Sequence, residues 1–215
     1  MADHRPAQLV LASGSPRRRL LLAMLGVQFE VIVSGVDETE GSDADADPIA
    51  AVVDRARRKA ARVSRIANGI RADEHGVEGM PVLGVDTEVV HDGDVLGKPL
   101  DDDDARAMLR RLSSSEVEVI SGLVLVSPTD GRWSKASAVS RLAVDELTDA
   151  TINAYLAAGE HLDKAGGLAV QGAAKDFVTV TEGSRSNVYG LPLVETAALL
   201  AGVGIAVRQR RGGGL

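Results

Sequence analysis

LVLASGSPRR (Leu9–Arg18) predicts a short apolar strand that breaks into a helix. Ser15 is a good N-cap residue, and Pro16 suits the first helical position because its missing N–H is not needed there. Gly26 then predicts the end of the helix. A helix N-terminus favours an anion, and two serine hydroxyls and the Arg17-Arg18 pair lie in the same stretch. The stretch therefore predicts an anion-binding turn, with a capped amphipathic helix bearing two solvated arginines as the alternative.

The composition is that of a chain with an aliphatic core and an acidic balance. Of the 215 residues, 45% are hydrophobic but only 2% are aromatic, so Leu, Val, Ile and Ala must fill the core. The formal net charge of −7 and the lack of a basic stripe argue against a nucleic-acid polymer as partner. The absence of cysteine excludes a disulfide scaffold and a thiolate metal site. We expect a cytoplasmic protein without a membrane anchor, because the amino end has no signal peptide and no apolar run could span a bilayer.

Strand and helix patterns alternate along the chain, which predicts an α/β fold. Strands are predicted at Phe29–Val33, Val82–Val85, Glu88–His91, Val117–Val126 and Ala138–Val144, and around Ala169 and Val178. Helices are predicted from Pro48 to Val63, with Lys59 on it, from Asp101–Asp104 to Leu112, near Asp149–Ala157 and near Pro192–Leu200. The acidic run Asp101–Asp104 is interpreted as a helix cap rather than a metal site, because consecutive carboxylates on a helix point apart. We expect one domain over residues 1–207 and a flexible tail at 208–215.

Three further clusters carry groups that suit phosphate chemistry. Asp86 ends the apolar strand of VLGVDT, where an acid is held rigidly as a base or metal ligand; an aspartate capping a turn is the alternative. LGKP delivers Lys98 from a hairpin as a phosphate-binding cation or a solvated turn lysine, but Pro99 excludes a Walker P-loop. The run Asp163–Gly166, followed by Gln171-Gly172, places polar and small residues on a turn that enters a strand. Its glycines would let a ligand approach the backbone.

In this order, these segments resemble the Maf family of nucleoside triphosphate pyrophosphatases. The matching motifs span Leu9–Leu200 and are LASGSPRR, the helix with Lys59, VLGVDT, LGKP, LDKAG with the following VQG, and EGSRSNVYGLPL. The resemblance implies an elongated α/β fold, with a mixed twisted sheet, flanking helices and two lobes around a deep cleft, in a homodimer. It also implies hydrolysis of the α–β phosphoanhydride of a nucleoside triphosphate to a monophosphate and pyrophosphate, with Mg²⁺ or Mn²⁺ as cofactor.

The resemblance also implies roles for individual residues. The candidate catalytic residues are Asp86, Glu38, Lys59 and Lys98, with Glu38 and Asp86 as metal ligands. The candidate substrate-binding residues are Ser13, Ser15, Arg17, Arg18, Thr87 and Gln171. Arg17, Thr87 and Gln171 look like the set of the dTTP- and UTP-hydrolysing subgroup, so the resemblance implies dTTP, UTP or modified pyrimidine nucleotides as substrates. The chain departs from the family pattern at Val85, where alanine is common, and at Leu112–Ser115, where LSG with a nearby histidine is usual.

The main alternative function is a nucleotide-binding regulator that inhibits septum formation through a protein partner with little catalysis. The sequence favours the enzyme, because a sensor has no evident need for Asp86 at the end of a strand. Release of pyrophosphate by the purified protein distinguishes the two hypotheses.

Overall fold

A computed structural model of the protein describes residues 6–36, 47–67, 76–127, 130–162 and 164–208. These residues form seven strands and six α-helices. In chain order they are β1 Leu9–Leu11, α1 Pro16–Met24, β2 Phe29–Val31, α2 Pro48–Ala67, β3 Val82–His91, β4 Asp94–Leu96, α3 Asp102–Leu112, β5 Glu116–Val126, β6 Trp133–Val144, α4 Asp149–Ala157, β7 Val178–Glu182, α5 Arg185–Val188 and α6 Leu193–Gly202. Two short 3₁₀-helices, Ala165–Gly167 and Ala173–Asp176, lie between α4 and β7.

The seven described strands form one mixed sheet. Its order is β2-β1-β3-β5-β6-β7, and β4 also pairs with β3. β1 is parallel to β2 and to β3, with Leu11 opposite Leu83, whereas the β3–β4 and β6–β7 pairs are antiparallel. Parallel neighbours require a crossover connection, which α1 supplies between β1 and β2. The connection from β2 to β3, which contains α2, leads to the other side of β1. The predicted α/β class, with a mixed sheet and flanking helices, is confirmed.

Two helices begin at the caps that the sequence predicts. Ser15 caps α1, since its hydroxyl accepts a hydrogen bond from the Arg18 backbone N–H at 3.4 Å, and Gly26 follows the helix with a φ of +72°. Asp101 caps α3, and its Oδ1 accepts from the Asp104 backbone N–H at 2.8 Å. The cap interpretation of the acidic run is therefore confirmed.

Two predictions of local structure are wrong. Asp86 does not end a strand, because β3 runs on through it and pairs with β4 over Val89–His91. The chain around Ala169 is not a strand either, since it lies between the two 3₁₀-helices. Gly166 and Gly167 have φ values of +62° and +68° there, and these turn the backbone out of the extended conformation.

Contacts within the chain define two compact units. The first comprises Met1–Asp86, Ser121–Ala138 and Gly190–Leu215, and the second comprises Thr87–Ile120 and Val139–Tyr189. Each unit has its own apolar core, around α2 and β1 in the first and around α3 and α4 in the second. The single domain over 1–207 and the tail at 208–215 stay predictions, and residues 209–215 lie outside the described part of the chain. Within that part, no helix is long and apolar enough to cross a membrane.

Two glycines let α2 lie close to the sheet in the first unit. A Cβ on Gly84 of β3 would lie 2.1 Å from the Ala56 carbonyl oxygen, and one on Gly122 of β5 would lie 2.5 Å from the Val52 carbonyl carbon. Both distances are shorter than any side chain tolerates, so the helix backbone rests directly on the two strands. Asp86 lies two residues after Gly84 and therefore on the same face of β3, under α2.

Candidate active site

The turn after β1 is a hydrogen-bonded loop that carries a cation. The hydroxyl of buried Ser13 accepts from Arg18 Nη1 at 3.1 Å and from the Ser15 backbone N–H at 3.3 Å. Arg18 Nε also donates to the Gly190 carbonyl, 172 residues further along the chain, at 2.9 Å. Arg17 is half-buried in the first turn of α1. The guanidinium of Arg18 is thus held at a helix N-terminus, where backbone N–H groups already favour an anion.

A buried cluster of three charged side chains lies between α2 and β3. Lys59 Nζ donates to Asp86 Oδ1 at 2.6 Å, and Arg55 Nε donates to Asp86 Oδ2 at 2.7 Å. All three side chains are only 6–7% exposed, so water screens their charges little. Burial raises the pKa of Asp86, but Lys59 and Arg55 together outweigh it and hold that pKa below its ordinary value of 3.8. Asp86 is therefore ionised at neutral pH.

The cluster follows from the pattern of α2. Arg55 and Lys59 are four residues apart, so they project from adjacent turns on one face of the helix. That face also carries the fully buried Val52, Ala56 and Ala60, and it packs on the sheet. Sequence analysis identified Lys59 but missed Arg55. The available signal was an arginine within an apolar helical stripe, where a charge needs a partner.

Asp86 has oxygen lone pairs suited to a metal ion or a water molecule. A carboxylate oxygen accepts up to two hydrogen bonds, and each oxygen of Asp86 accepts one from α2. In the described part of the chain, no group of three His, Asp or Glu side chains could hold a metal ion. Glu38, the second predicted ligand, lies outside the described residues. Mg²⁺ commonly binds one or two carboxylates together with substrate phosphates, and Asp86 fits a site of that kind.

The second unit contains three other predicted site residues. Thr87 is half-buried in β3, and Lys98 is exposed just after β4. Gln171 is exposed in the turn between the two 3₁₀-helices. The carbonyl of Gly97 accepts from the Gly166 N–H at 2.9 Å. The segment of Lys98 therefore lies against the start of the loop that leads to Gln171.

Two residues that sequence analysis missed hold the turn of Gln171 in place. The hydroxyl of buried Tyr155 donates to the Gly167 carbonyl at 2.6 Å and accepts from the backbone N–H two residues later at 2.8 Å. Glu160 Oε2 accepts from the Ala173 N–H at 2.9 Å. These bonds restrain the backbone on both sides of Gln171. The only sequence signal for Tyr155 was the rarity of aromatic residues, which make up 2% of the chain.

Comparison with known proteins extends the similarity to nearly the whole chain. Residues 8–203 match the sequence profile of the family described as Maf-like protein. A dTTP/UTP pyrophosphatase of Hahella chejuensis is 42% identical over 210 residues, which cover 96% of this chain and 98% of the relative. Proteins of the same name from Anaeromyxobacter sp. (strain Fw109-5) and Escherichia coli O157:H7 are 47% identical over 201 residues and 42% over 205 residues. They cover 92% and 94% of this chain, and the matches span 90% and 96% of the relatives. Since both the profile and these relatives cover more than nine-tenths of its length, the chain belongs to the Maf-like family.

Proposed function

We propose that this protein is a nucleoside triphosphate pyrophosphatase that hydrolyses dTTP or UTP to the monophosphate and pyrophosphate. The relatives described above carry the name dTTP/UTP pyrophosphatase. The observation that carries the proposal in this chain is the buried Asp86, held ionised between two cations. A fixed carboxylate among positive charges suits the hydrolysis of a phosphoanhydride, where catalysis is mostly positioning and charge stabilisation.

The topology of the first unit supports a common site for the turn of Ser13–Arg18 and for Asp86. β1 and β3 are adjacent and parallel, with Leu11 opposite Leu83, and Ala12 N donates to the Leu83 carbonyl at 2.9 Å. Ser13, where the turn begins, is two residues after Leu11, and Asp86 is three residues after Leu83. Since the two strands are parallel, the turn and Asp86 lie toward the same end of them. In the proposed complex, Ser13, Ser15, Arg17 and Arg18 bind the triphosphate.

The proposed reaction joins a water oxygen to the α-phosphorus while the bond from that phosphorus to the α–β bridging oxygen breaks. Pyrophosphate leaves with the electron pair of the broken bond, and the water gives up one proton to Asp86, which releases it to solvent. Asp86 accepts a hydrogen bond from the water and orients it. Its low pKa makes it a weak base, and a weak base suffices because bond formation to the water is little advanced in a loose transition state. Lys59 and Lys98 neutralise charge on the phosphates. A divalent ion such as Mg²⁺ or Mn²⁺, with Asp86 and Glu38 as ligands, supplies further charge neutralisation when bound.

Specificity for a pyrimidine with two carbonyls is part of the proposal. Arg17, Thr87 and Gln171 look like the residue set of the dTTP- and UTP-hydrolysing subgroup. The side-chain amide of Gln171 offers both a donor and an acceptor, which an N–H flanked by two carbonyls requires. A site that satisfies such groups discriminates strongly against a base that leaves them unpaired.

A nucleotide screen tests the proposed function. The purified protein is incubated with Mg²⁺ or Mn²⁺ and with dTTP, UTP, CTP or methylated GTP, and both the monophosphate and pyrophosphate are measured. We expect kcat/KM for dTTP and UTP to exceed that for CTP by about tenfold or more. Release of orthophosphate instead of pyrophosphate would contradict cleavage at the α–β bond. Nucleotide binding without turnover would instead favour the regulator of septum formation.

The proposal also includes a homodimer and a cytoplasmic location. The family resemblance implies the homodimer, and the absence of cysteine supports the cytoplasmic location. Light scattering of the purified protein tests the first, and a mass equal to one 22.4 kDa chain would contradict it.

A further inference from the structure

We propose that Arg55 is a positioning residue that, together with Lys59, holds the carboxylate of Asp86 in one orientation for the reaction. This inference rests on the proposed function, because it gives Arg55 a part in the same hydrolysis. The contacts are divided between the two oxygens, with Lys59 on Oδ1 at 2.6 Å and Arg55 on Oδ2 at 2.7 Å. A rotation of the carboxylate about its Cβ–Cγ bond would therefore lengthen both contacts.

Lys59 and Arg55 make different contributions to the orientation of the Asp86 carboxylate. An ammonium group is a point charge with rotatable donors, so Lys59 by itself can follow the carboxylate as it turns. A guanidinium is planar and donates in set directions, so Arg55 restricts the direction of Oδ2. Lys59 therefore neutralises the charge of the Asp86 carboxylate, and Arg55 restricts its orientation.

The backbone that carries Arg55 is itself held in place. The next residue, Ala56, packs directly on β3, since its carbonyl oxygen lies 2.1 Å from the position of a Cβ on Gly84. Asp86 is two residues further along the same face of β3. The guanidinium and the carboxylate therefore extend from two backbone segments in direct contact, which suits a constant geometry.

Arg57 provides a matched comparison on the same helix. It is exposed, pairs with Asp54 at 2.8 Å, and lies two residues after Arg55, on the opposite side of α2. Exposed pairs of this kind contribute little to stability. Arg57→Met removes the same chemical group as Arg55→Met but has no connection to Asp86.

A kinetic double-mutant cycle tests the proposed role. We expect Arg55→Met to lower kcat for dTTP by about tenfold or more while KM changes less than about threefold, because orientation acts on the transition state. Arg57→Met should leave kcat and KM within about twofold of the wild type. In an Asp86→Asn background, Arg55→Met should cause no further loss of kcat, since the group that it orients is gone. Equal losses in both backgrounds would overturn the proposal.

Chemical rescue separates orientation from packing. Arg55→Ala leaves space for a guanidinium ion, and millimolar guanidinium chloride should restore part of its kcat but have no such effect on Arg57→Ala. Arg55→Lys should remain impaired, because it restores the charge without the planar donors. A full recovery by Arg55→Lys would show that charge alone suffices and would overturn the proposal.

A second cycle, read in Tm, checks that the variants act through the same cluster. Arg55→Met should lower Tm less in the Asp86→Asn background than in the wild-type background, because the ion pair between Arg55 and Asp86 is already absent there. Such coupling in Tm with unchanged kcat would assign the ion pair to stability alone and overturn the proposal. A wild-type protein that releases no pyrophosphate would overturn the proposed function and the inference with it. An active wild type with additive losses of kcat would overturn the inference alone.

Discussion

Gly84→Ala tests whether the close packing of α2 on β3 sets the geometry of the Asp86 cluster. The added Cβ would lie 2.1 Å from the Ala56 carbonyl oxygen, about 0.9 Å inside the 3.0 Å that real Cβ atoms respect. Because the obstructing atom belongs to a helix backbone, no side-chain rotation relieves the overlap. The helix or the strand has to shift, and Arg55, which is next to Ala56, then shifts relative to Asp86. The 2.7 Å contact from Arg55 Nε to Asp86 Oδ2 would lengthen by up to about 0.9 Å, beyond the range of a strong charge-assisted hydrogen bond.

The expected effects of Gly84→Ala follow from this displacement. Overpacking of a core costs about 1–3 kcal/mol, which for a chain of this size lowers Tm by roughly 2–12 °C. A misplacement of about 1 Å in a catalytic group can cost roughly a hundredfold in rate. We therefore expect kcat for dTTP to fall by about ten- to a hundredfold, measured as pyrophosphate release, and Tm to fall in a thermal melt.

Gly202→Ala is the matched control, since it adds the same methyl group where nothing lies within 4 Å. It should keep the kcat of the wild type, with Tm unchanged or slightly higher, because alanine favours a helix more than glycine does. If Gly84→Ala retains the kcat of the wild type, the packing of α2 does not set the site geometry, and the reasoning is refuted whatever the change in Tm.

Four other predictions follow from the site. Because the pKa of Asp86 in the folded protein is below 3.8, its ion pairs contribute their full stability at pH values well above 3.8 and lose it as the carboxylate is protonated. The Tm difference between wild type and Asp86→Asn should therefore be constant from about pH 8 to 5 and shrink below about pH 4. Arg18→Lys should raise KM for dTTP by about tenfold, since an ammonium group cannot reproduce the two directed contacts to Ser13 and the Gly190 carbonyl; an unchanged KM in steady-state assays would favour the simple capped helix. Tyr155→Phe leaves two buried backbone groups without their partner, so we expect a stability loss of about 1–3 kcal/mol in denaturant melts and weaker discrimination between dTTP and CTP. Gln171→Glu should reduce kcat/KM for dTTP and UTP more than for CTP, because a carboxylate loses the donor that a carbonyl requires; an equal reduction for all three would remove Gln171 from base recognition.

Helix starts and fold class were predictable from the sequence because their causes are local. The cap of α1 needs only Ser15 and the next three residues, and the cap of α3 needs only Asp101 and the same short span. The wrong prediction at Asp86 concerns strand pairing, since β3 continues past Asp86 and pairs with β4. The wrong prediction at Ala169 has a local cause, because the positive φ angles of two preceding glycines turn the chain.

The sequence by itself determined the α/β class, the family resemblance and most of the charged groups that the site needs, because these depend on short motifs and on periodic patterns. Lys59 and Asp86 were both identified in this way, but their contact was not, since they are 27 residues apart. Only the tertiary structure decided that Arg55 joins them, at a separation of 31 residues from Asp86. The physical reason is the approach of α2 to β3, which a glycine at position 84 permits and which brings two cations of one helix face onto one buried carboxylate.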